Sequence, residues 1–419
     1  MSLPHYWLPT EIWRQIFQLA TAEECHDIET EYFPFQSSQP RQSPSPVTAI
    51  SLSRVSKQWQ AIAAEFLFRR VWVRHGAQGL LRSLEGPMHS EGYGRYVRRL
   101  ELPSKLVHHD ATNSIRLLDI FACCPHLEIL VKPDFNGRQD SRFWSNLIPV
   151  TQPQTNDVPL TSLTRLDWSS RGWAEHETLE ATRSVLASLI FRSPNLRYLS
   201  ESFQPGPIFK DIDRSAHAIL FPSLTLYRAG YAGLSWAGIQ RGDVPNLTHL
   251  TLEPGNLLRT SDPSTILNIV GSQLRVVELL QDPGNIIHLD LNFFVRQCPN
   301  LQVFTYHVGL PHLRPLDTLQ HLELTTLNLQ VNHLYRRYGG TRVFWKILGG
   351  EFAIFSAQVF PALKHITLYG DLDYVVRAPE FRSIRQPLLD RGCTLEYVHI
   401  LNCPGMENGC ISRVWDSGT

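Results

Sequence analysis

The sequence lacks any long apolar run. Nowhere in its 419 residues do about 18 consecutive apolar residues occur, which is the length that a membrane-spanning helix needs. The first residues, MSLPHYWLPTEIW, also lack the cationic leader and apolar stretch of a secretion signal. We therefore expect neither a membrane span nor secretion, and we expect a cytoplasmic or nuclear location.

An excess of charge of either sign is also absent, because 39 Lys and Arg residues balance 39 Asp and Glu residues. No global field therefore draws the whole molecule to nucleic acid or to an anionic membrane. Cysteine is scarce, and seven cysteines without paired spacing favour a reducing compartment over a disulfide framework. A chain that is 43% hydrophobic and 19% charged can nevertheless bury a large core.

The motifs of common enzymes and metal sites are missing as well. The chain has no G-x-x-x-x-G-K-S/T phosphate loop, no H-E-x-x-H and no C-x-x-C pair. The closest approach to a nucleophile elbow, GLSWAG at 233–238, lacks the second glycine of that motif. The sequence therefore predicts a non-catalytic protein without a metal or cofactor.

What the chain does contain, many times over, is a proline followed two residues later by a leucine. The six clearest copies are CPHLEIL (124–130), SPNLRYL (193–199), FPSLTLY (221–227), VPNLTHL (244–250), CPNLQVF (298–304) and FPALKHI (360–366). Most continue as L-x-x-L-x-L, whose last two apolar positions alternate as in a strand with one buried face. Lys132 and Glu201 interrupt the last apolar position of two copies.

Helical spacing precedes most copies, as in TLEATRSVLASLIFRS before Pro194. Proline cannot continue a helix, and it favours extended geometry in the residue before it. Each repeated phrase therefore predicts the corner where a helix ends and a strand begins. Eleven such units are predicted, and they begin at residues 97, 127, 163, 196, 224, 247, 274, 301, 319, 363 and 395.

Units of this kind resemble degenerate leucine-rich repeats. We therefore expect an α/β fold, with a leucine-rich-repeat solenoid over residues 71–419. Its strands should form a curved parallel sheet on the inside, and its helices should lie outside.

The N-terminal 70 residues show a different pattern. LPTEIWRQIFQLA at 8–20 predicts a helix that is apolar on two sides, and a second helix with a continuous apolar seam is expected over about 48–65. Between them, residues 25–47 are rich in Pro, Ser and Gln, which is typical of a flexible loop.

LPTEIWRQIF followed by LSRVSKQWQAIAAEFLF resembles an F-box. The resemblance implies an F-box domain over residues 1–70, docked onto a small adaptor that joins it to a cullin-RING (SCF-type) ubiquitin ligase. It implies adaptor contacts by Leu8, Pro9, Ile12, Ile16, Phe17, Leu52, Val55 and Trp59. The alternative is a helical cap that only closes the solenoid.

An unidentified protein substrate is then expected on the solenoid. The variable positions between the leucines should face outwards from the sheet, and aromatic and histidine side chains are frequent there, as in protein interfaces. The substrate-binding candidates at these positions are Tyr198, His249, His321, His365 and Tyr397. Ordinary sheet-surface residues are the alternative interpretation.

A second candidate substrate surface is the interval between Glu323 and Glu351, which contains no acidic residue. Arg336 and Arg337 lie there among tyrosines and would suit an acidic or phosphorylated peptide. A long loop between repeats would explain the same composition.

Three functions follow from this sequence: a substrate receptor of an SCF-type ligase, a non-ligase scaffold that uses the same surfaces, and a nucleic-acid binder. The neutral total charge argues against the third.

Overall fold

The computed structural model describes the chain in seventeen segments. These are residues 8–21, 46–73, 77–86, 92–102, 115–133, 147–148, 159–169, 179–202, 221–229, 240–252, 263–280, 291–308, 320–331, 341–355, 359–370, 372–401 and 410–415. The described residues form two compact units, one ending at Ser200 and the other beginning at Glu201. The predicted boundary between an N-terminal domain and the repeats at residue 70 stays a prediction. None of the helices in the described segments is long and apolar enough to cross a membrane.

The first unit begins with three helices, α1 (Thr10–Ala20), α2 (Val47–Ser53) and α3 (Lys57–Leu67). The single helix predicted over about 48–65 is wrong, because the chain leaves helical geometry between α2 and α3. Ser56 lies there in extended geometry, and its hydroxyl accepts a hydrogen bond from the backbone N–H of Trp59. This N-cap satisfies one of the free donors at the start of α3 and so favours a new helix there.

The remaining helices of the first unit are α4 (Ala77–Glu85), α5 (Leu117–Ala122) and α6 (Leu179–Phe191), with a 3-10 turn at Tyr93–Tyr96. Its strands are β1 (Arg70–Trp72), β2 (Arg99–Glu101), β4 (Ile129–Lys132) and β6 (Arg165–Ser169), in that order in one sheet. The next strand of the chain, β7 (Tyr198–Ser202), contains the division after Ser200. The pairs from β1 to β6 are parallel. A separate parallel pair consists of β3 (Ile115–Arg116) and β5 (Leu147–Ile148).

The second unit repeats the same alternation of strand and helix. Its strands are β8 (Leu226–Ala229), β9 (His249–Leu252), β10 (Val276–Leu279), β11 (Val303–His307), β12 (Thr326–Gln330), β13 (His365–Gly370), β14 (Thr394–Leu401) and β15 (Cys410–Trp415). Each is hydrogen-bonded to the next, in parallel as far as β14, whereas β15 runs antiparallel to β14.

The helices of the second unit are α7 (Pro263–Val270), α8 (Leu291–Gln297), α9 (Arg342–Ile354), α10 (Asp373–Arg377) and α11 (Pro379–Asp390). Short 3-10 turns cover Arg241–Asp243 and Gly271–Gln273. The helices pack on the leucine-bearing face of the strands: the rings of Phe294 in α8 and Phe304 in β11 lie 5.6 Å apart. The predicted α/β leucine-rich-repeat fold is confirmed.

The repeated proline phrase is the corner between helix and strand, as predicted. In most corners the backbone N–H of the first leucine donates to the carbonyl three residues earlier, as Leu127 does to Cys124 and Leu301 does to Cys298. The asparagine of the P-N-L copies ties one corner to the previous one. Asn195, Asn246 and Asn300 donate to the carbonyls of Thr161, Pro222 and Ser272. These bonds join the corners of neighbouring repeats at the surface.

Two predicted repeats are in the wrong register. The unit predicted at Leu319 begins at Leu324, because Leu327 pairs with Ile366 in the ladder while Leu322 is 62% exposed. In the last unit Leu395 pairs with Ile366, so it occupies the second apolar position and not the first.

The two charged residues in apolar positions are buried and hydrogen-bonded. Lys132 donates to the backbone carbonyl of Ser169, and its ammonium group lies 5.9 Å from the ring of Trp168. Glu201 accepts from the hydroxyl of Tyr227. A buried ion is tolerated when such partners replace water.

Candidate functional site

Four large apolar side chains on α1 and just before it point to solvent. Leu8, Ile12, Ile16 and Leu19 are 43%, 38%, 40% and 77% exposed. Their spacing of four, four and three residues aligns them along one side of a helix. We call these four residues the apolar helical face.

The other side of α1 packs on α3. Phe17 is fully buried, and its ring lies 5.0 Å from that of Trp59, which in turn lies 4.7 Å from the ring of Trp13. Leu52 packs against the same cluster. Phe17 therefore cannot contact a partner directly, and Leu52 and Trp59 are partly buried members of this core. The predicted adaptor contact is corrected for Phe17, which holds α1 in place. For the partly buried Leu52 and Trp59 it stays a prediction.

The other predicted adaptor residues are accessible. Pro9 is exposed and forms the N-terminal boundary of α1, where its missing N–H costs no hydrogen bond. Val55 is 61% exposed in the break between α2 and α3.

One polar contact joins α1 to α3, and another closes the last turn of α1. Arg14 and Glu65 form an ion pair of 3.4 Å between α1 and α3. At the C-terminal end, the Thr21 hydroxyl donates to the carbonyl of Phe17 over 2.8 Å. The apolar helical face is thus presented on a helix that is held on its other side.

A second feature lies on the sheet of the second unit, on the face opposite the leucines. One polar side chain per strand lies in register across seven consecutive strands. We call this set the polar row: Arg228, Thr251, Glu278, Thr305, Asn328, Thr367 and Glu396.

Neighbours in the polar row bind one another. Thr251 donates to Glu278 over 3.3 Å, and Asn328 donates to Thr305 over 3.0 Å. All members except Glu396 are buried. These positions lie on the face opposite the leucines, but adjacent strands place their polar side chains close enough to cover one another, so most of them are buried.

The two histidine candidates on the second unit's strands differ in their exposure. His365 is exposed, and its Nδ1 lies 2.7 Å from the Thr394 hydroxyl. His249 is buried, and burial together with the charge of Arg228 lowers its pKa to about 3, which keeps the imidazole neutral. Only His365 of this pair offers an accessible contact.

Tyr198 lies in the first unit and is half-buried. The guanidinium of Arg165 stacks 4.3 Å from its ring centroid and is also bound by Asp167 over 2.7 Å. Burial alone would lower the pKa of Arg165, but the carboxylate of Asp167 raises it above its usual range. The same Arg-x-acid pairing recurs between Arg99 and Glu101, also at 2.7 Å.

Two candidates are wrong because of register. His321 is a buried corner residue: its Nδ1 accepts from the Leu324 N–H over 3.1 Å, and its Nε2 lies 2.9 Å from the carbonyl of Cys298. Tyr397 pairs with Leu368 and so lies on the helix-covered face, where Arg385 donates to its hydroxyl over 3.0 Å. Arg336 and Arg337 lie outside the described residues.

Sequence reasoning missed several residues of these surfaces. Leu19 is the most exposed member of the apolar helical face, although its spacing from Ile12 and Ile16 was evident. Arg228, Glu278 and Asn328 belong to the polar row, and aligning all copies on their first leucine would have found the first two. Asn328 required the corrected start at Leu324.

No family model and no curated protein matches the chain. Among solved structures it is similar to the crystal structure of a TLR13-ssRNA13 complex, with 14% sequence identity and a TM-score of 0.29. The similarity covers 72% of this chain and only 35% of that chain. The assignment of the chain to the α/β class with leucine-rich repeats therefore rests on its own parallel strands, their register and the recurring corner.

Proposed function

We propose that the chain is the substrate-recognition subunit of an SCF-type cullin-RING ubiquitin ligase. In this proposal the apolar helical face, with Pro9 and Val55, binds a small adaptor, and the adaptor recruits a cullin. The polar faces of the repeat sheets hold a protein substrate.

One observation carries the proposal: a helix that is already packed through Phe17 still exposes Leu8, Ile12, Ile16 and Leu19. Fully burying an exposed Leu or Ile side chain contributes about 1.5–3 kcal/mol. Leu8, Ile12 and Ile16 are already partly covered, so each would contribute only part of that amount, and the four together still favour association. Residues 8–17 and 52–68 resemble an F-box, and this resemblance supports a ubiquitin-ligase adaptor as the partner.

Such a receptor performs no bond chemistry itself. By holding adaptor and substrate on one chain, it raises the local concentration of substrate lysines near the ubiquitin-charged conjugating enzyme. The residues that support substrate binding are the accessible His365 and the half-buried, stacked Tyr198. Both bring an aromatic ring with a polar end, which suits a protein partner.

The test is co-purification of the full chain with the adaptor and cullin. The double substitution Ile12→Asp and Ile16→Asp should weaken adaptor binding by about 100-fold or more, because two buried apolar side chains are replaced by charges. A matched control adds the same two charges at Gln18 and Gln60, which are exposed outside the apolar helical face. Gln18→Asp with Gln60→Asp should leave adaptor binding unchanged.

Three results contradict the proposal or narrow it. If the unmodified chain captures no adaptor, the ligase function is refuted. If the Ile12→Asp, Ile16→Asp chain binds as tightly as the control, the apolar helical face is not the docking surface. Adaptor capture without cullin would identify a scaffold outside the ligase.

A further inference from the structure

Arginine greatly outnumbers lysine among the cationic residues of this protein. Of its 39 Lys and Arg residues, 33 are Arg and only 6 are Lys. Lysine is among the commonest residues of soluble proteins, so this depletion is a strong departure. Arginine thus keeps the charge balanced, whereas the chain carries few lysine side chains with a primary amine.

The two side chains differ in the reaction that a ubiquitin ligase promotes. A deprotonated lysine ε-amine attacks the thioester carbonyl that links the ubiquitin C-terminus to the conjugating enzyme's cysteine. The C–N bond forms, the C–S bond breaks, and the departing thiolate takes up the proton that the amine loses. The guanidinium of arginine stays protonated and delocalised at neutral pH, so it cannot act as this nucleophile.

The structure reduces the number of available amines further. Lys132 is 1% exposed and its ammonium group is held by the Ser169 carbonyl. Lys57, Lys346 and Lys364 are the exposed lysines of the described segments. The same segments expose eleven arginines: Arg14, Arg54, Arg82, Arg95, Arg197, Arg241, Arg275, Arg296, Arg342, Arg377 and Arg382.

Local geometry does not require arginine at these exposed positions. Arg197, Arg275 and Lys364 occupy the same position, the residue after the first leucine, in three repeats. In each case the backbone N–H donates to the carbonyl of the matching threonine in the preceding repeat, and the side chain is exposed. One repeat accepts lysine where two others have arginine, so the fold tolerates either cation.

We propose that the chain excludes lysine from its surface to escape ubiquitin transfer to itself. This inference rests on the proposed ligase function, since a receptor held beside the charged conjugating enzyme is exposed to it for as long as any substrate. Arginine keeps the surface charged and soluble but offers no amine that could accept ubiquitin. The protein is thus a receptor that survives repeated rounds of substrate modification.

The experiment restores amines at four exposed arginines of the second unit, Arg275, Arg296, Arg377 and Arg382. The Lys variant carries Arg275→Lys, Arg296→Lys, Arg377→Lys and Arg382→Lys. It keeps every charge and raises the number of exposed lysines in the described segments from three to seven. The control variant places Gln at the same four positions and adds no amine. Each full chain is assembled with adaptor, cullin, RING protein, conjugating enzyme and ubiquitin, without substrate, and modification of the receptor is followed by mass spectrometry.

We expect the Lys variant to be modified about twofold faster or more, in proportion to its accessible amines, with ubiquitin on the introduced lysines. The Gln variant should match the unmodified chain. The inference would be overturned if all three chains were modified equally, or if no chain were modified at all. If the chains still captured the adaptor in that case, the proposed function would stand. Failure of every chain to capture the adaptor would overturn both.

Discussion

At the scale of single residues, the corner of the repeat explains why His321 is buried. In the other corners a backbone carbonyl accepts the leucine N–H, but at Leu324 the Nδ1 atom of His321 accepts it. Because Nδ1 accepts, Nε2 carries the ring hydrogen and donates to the carbonyl of Cys298. One side chain therefore satisfies a backbone donor and a backbone acceptor in two repeats.

His321→Ala should lower the free energy of unfolding by roughly 2–4 kcal/mol, because two buried backbone groups lose their partner. The measurement is a shift of the urea midpoint. His365→Ala is the control, since His365 is exposed and its removal should cost less than about 1 kcal/mol. Equal shifts for the two variants would show that His321 has no structural role at the corner.

Burial also determines the reactivity of the corner cysteines. It raises the pKa of the Cys124 and Cys298 thiols to about 12 from an ordinary value of 9.0, with the neighbouring Cys123 contributing at Cys124. Both thiols therefore stay neutral, and the thiolate is the reactive form. Since the unfolded chain ionises first, their contribution to stability is complete below pH 9 and is lost as the pH rises towards 12.

We expect Cys124 and Cys298 to resist alkylation in the native protein at pH 8 and to react rapidly in urea. Site-resolved mass spectrometry measures both rates, and Cys123 serves as an internal reference because it is only partly buried. Native labelling of Cys298 as fast as Cys123 would contradict the burial argument.

At the scale of elements, the corner constrains which residue can stand three before the first leucine. At Gly271 an added Cβ would lie 2.3 Å from the carbonyl oxygen of Gln297, and at Gly94 it would lie 1.9 Å from that of Cys123. At these two corners the next repeat approaches so closely that a side chain is excluded. Glycine there is a requirement of stacking and not of turn conformation.

Gly271→Ala should destabilise the protein by about 1–3 kcal/mol, because the corner must move away from the Gln297 carbonyl. Thermal unfolding measures the change. Gly350→Ala in α9 is the matched control: nothing lies within 4 Å of its Cβ position, and alanine in a helix should stabilise by up to about 1 kcal/mol. A Gly271→Ala protein as stable as the control would refute the close-approach argument.

The elements also show where pattern analysis succeeds and fails. Proline and the apolar period located the ends of α5, α6 and α8 shortly before Pro125, Pro194 and Pro299, because both effects are local. α9 ends at Ile354, well before the corner at Pro361. The break between α2 and α3 was missed, since Leu52, Val55 and Trp59 continue the helical spacing across it. A single hydroxyl, that of Ser56, decides the break by capping α3.

At the scale of the whole molecule, balanced charge separates the proposed protein partner from nucleic acid. With 39 cations and 39 anions, the chain has no excess of cations to neutralise nucleic-acid phosphates and release their condensed counterions. The proposed binding of an adaptor by the apolar helical face depends, in contrast, on area removed from water, which salt does not screen.

Adaptor binding by the full chain should therefore change little between low and moderate salt, and binding to RNA or DNA should be absent at physiological salt. Titration calorimetry with the adaptor and filter binding with a random oligonucleotide measure the two. A steep loss of oligonucleotide affinity with rising salt would instead favour the nucleic-acid function.

The amino-acid sequence by itself determined the class of the fold, the repeated corner and the apolar spacing of α1, because each depends on interactions between residues near in the chain. The tertiary structure alone decided which apolar residues are covered, so that Phe17 became core while Leu19 stayed exposed. It also decided the registers that removed His321 and Tyr397 from the candidate surface. Those outcomes depend on which strand or helix lies opposite, and a period of two or of 3.6 residues carries no information about that neighbour.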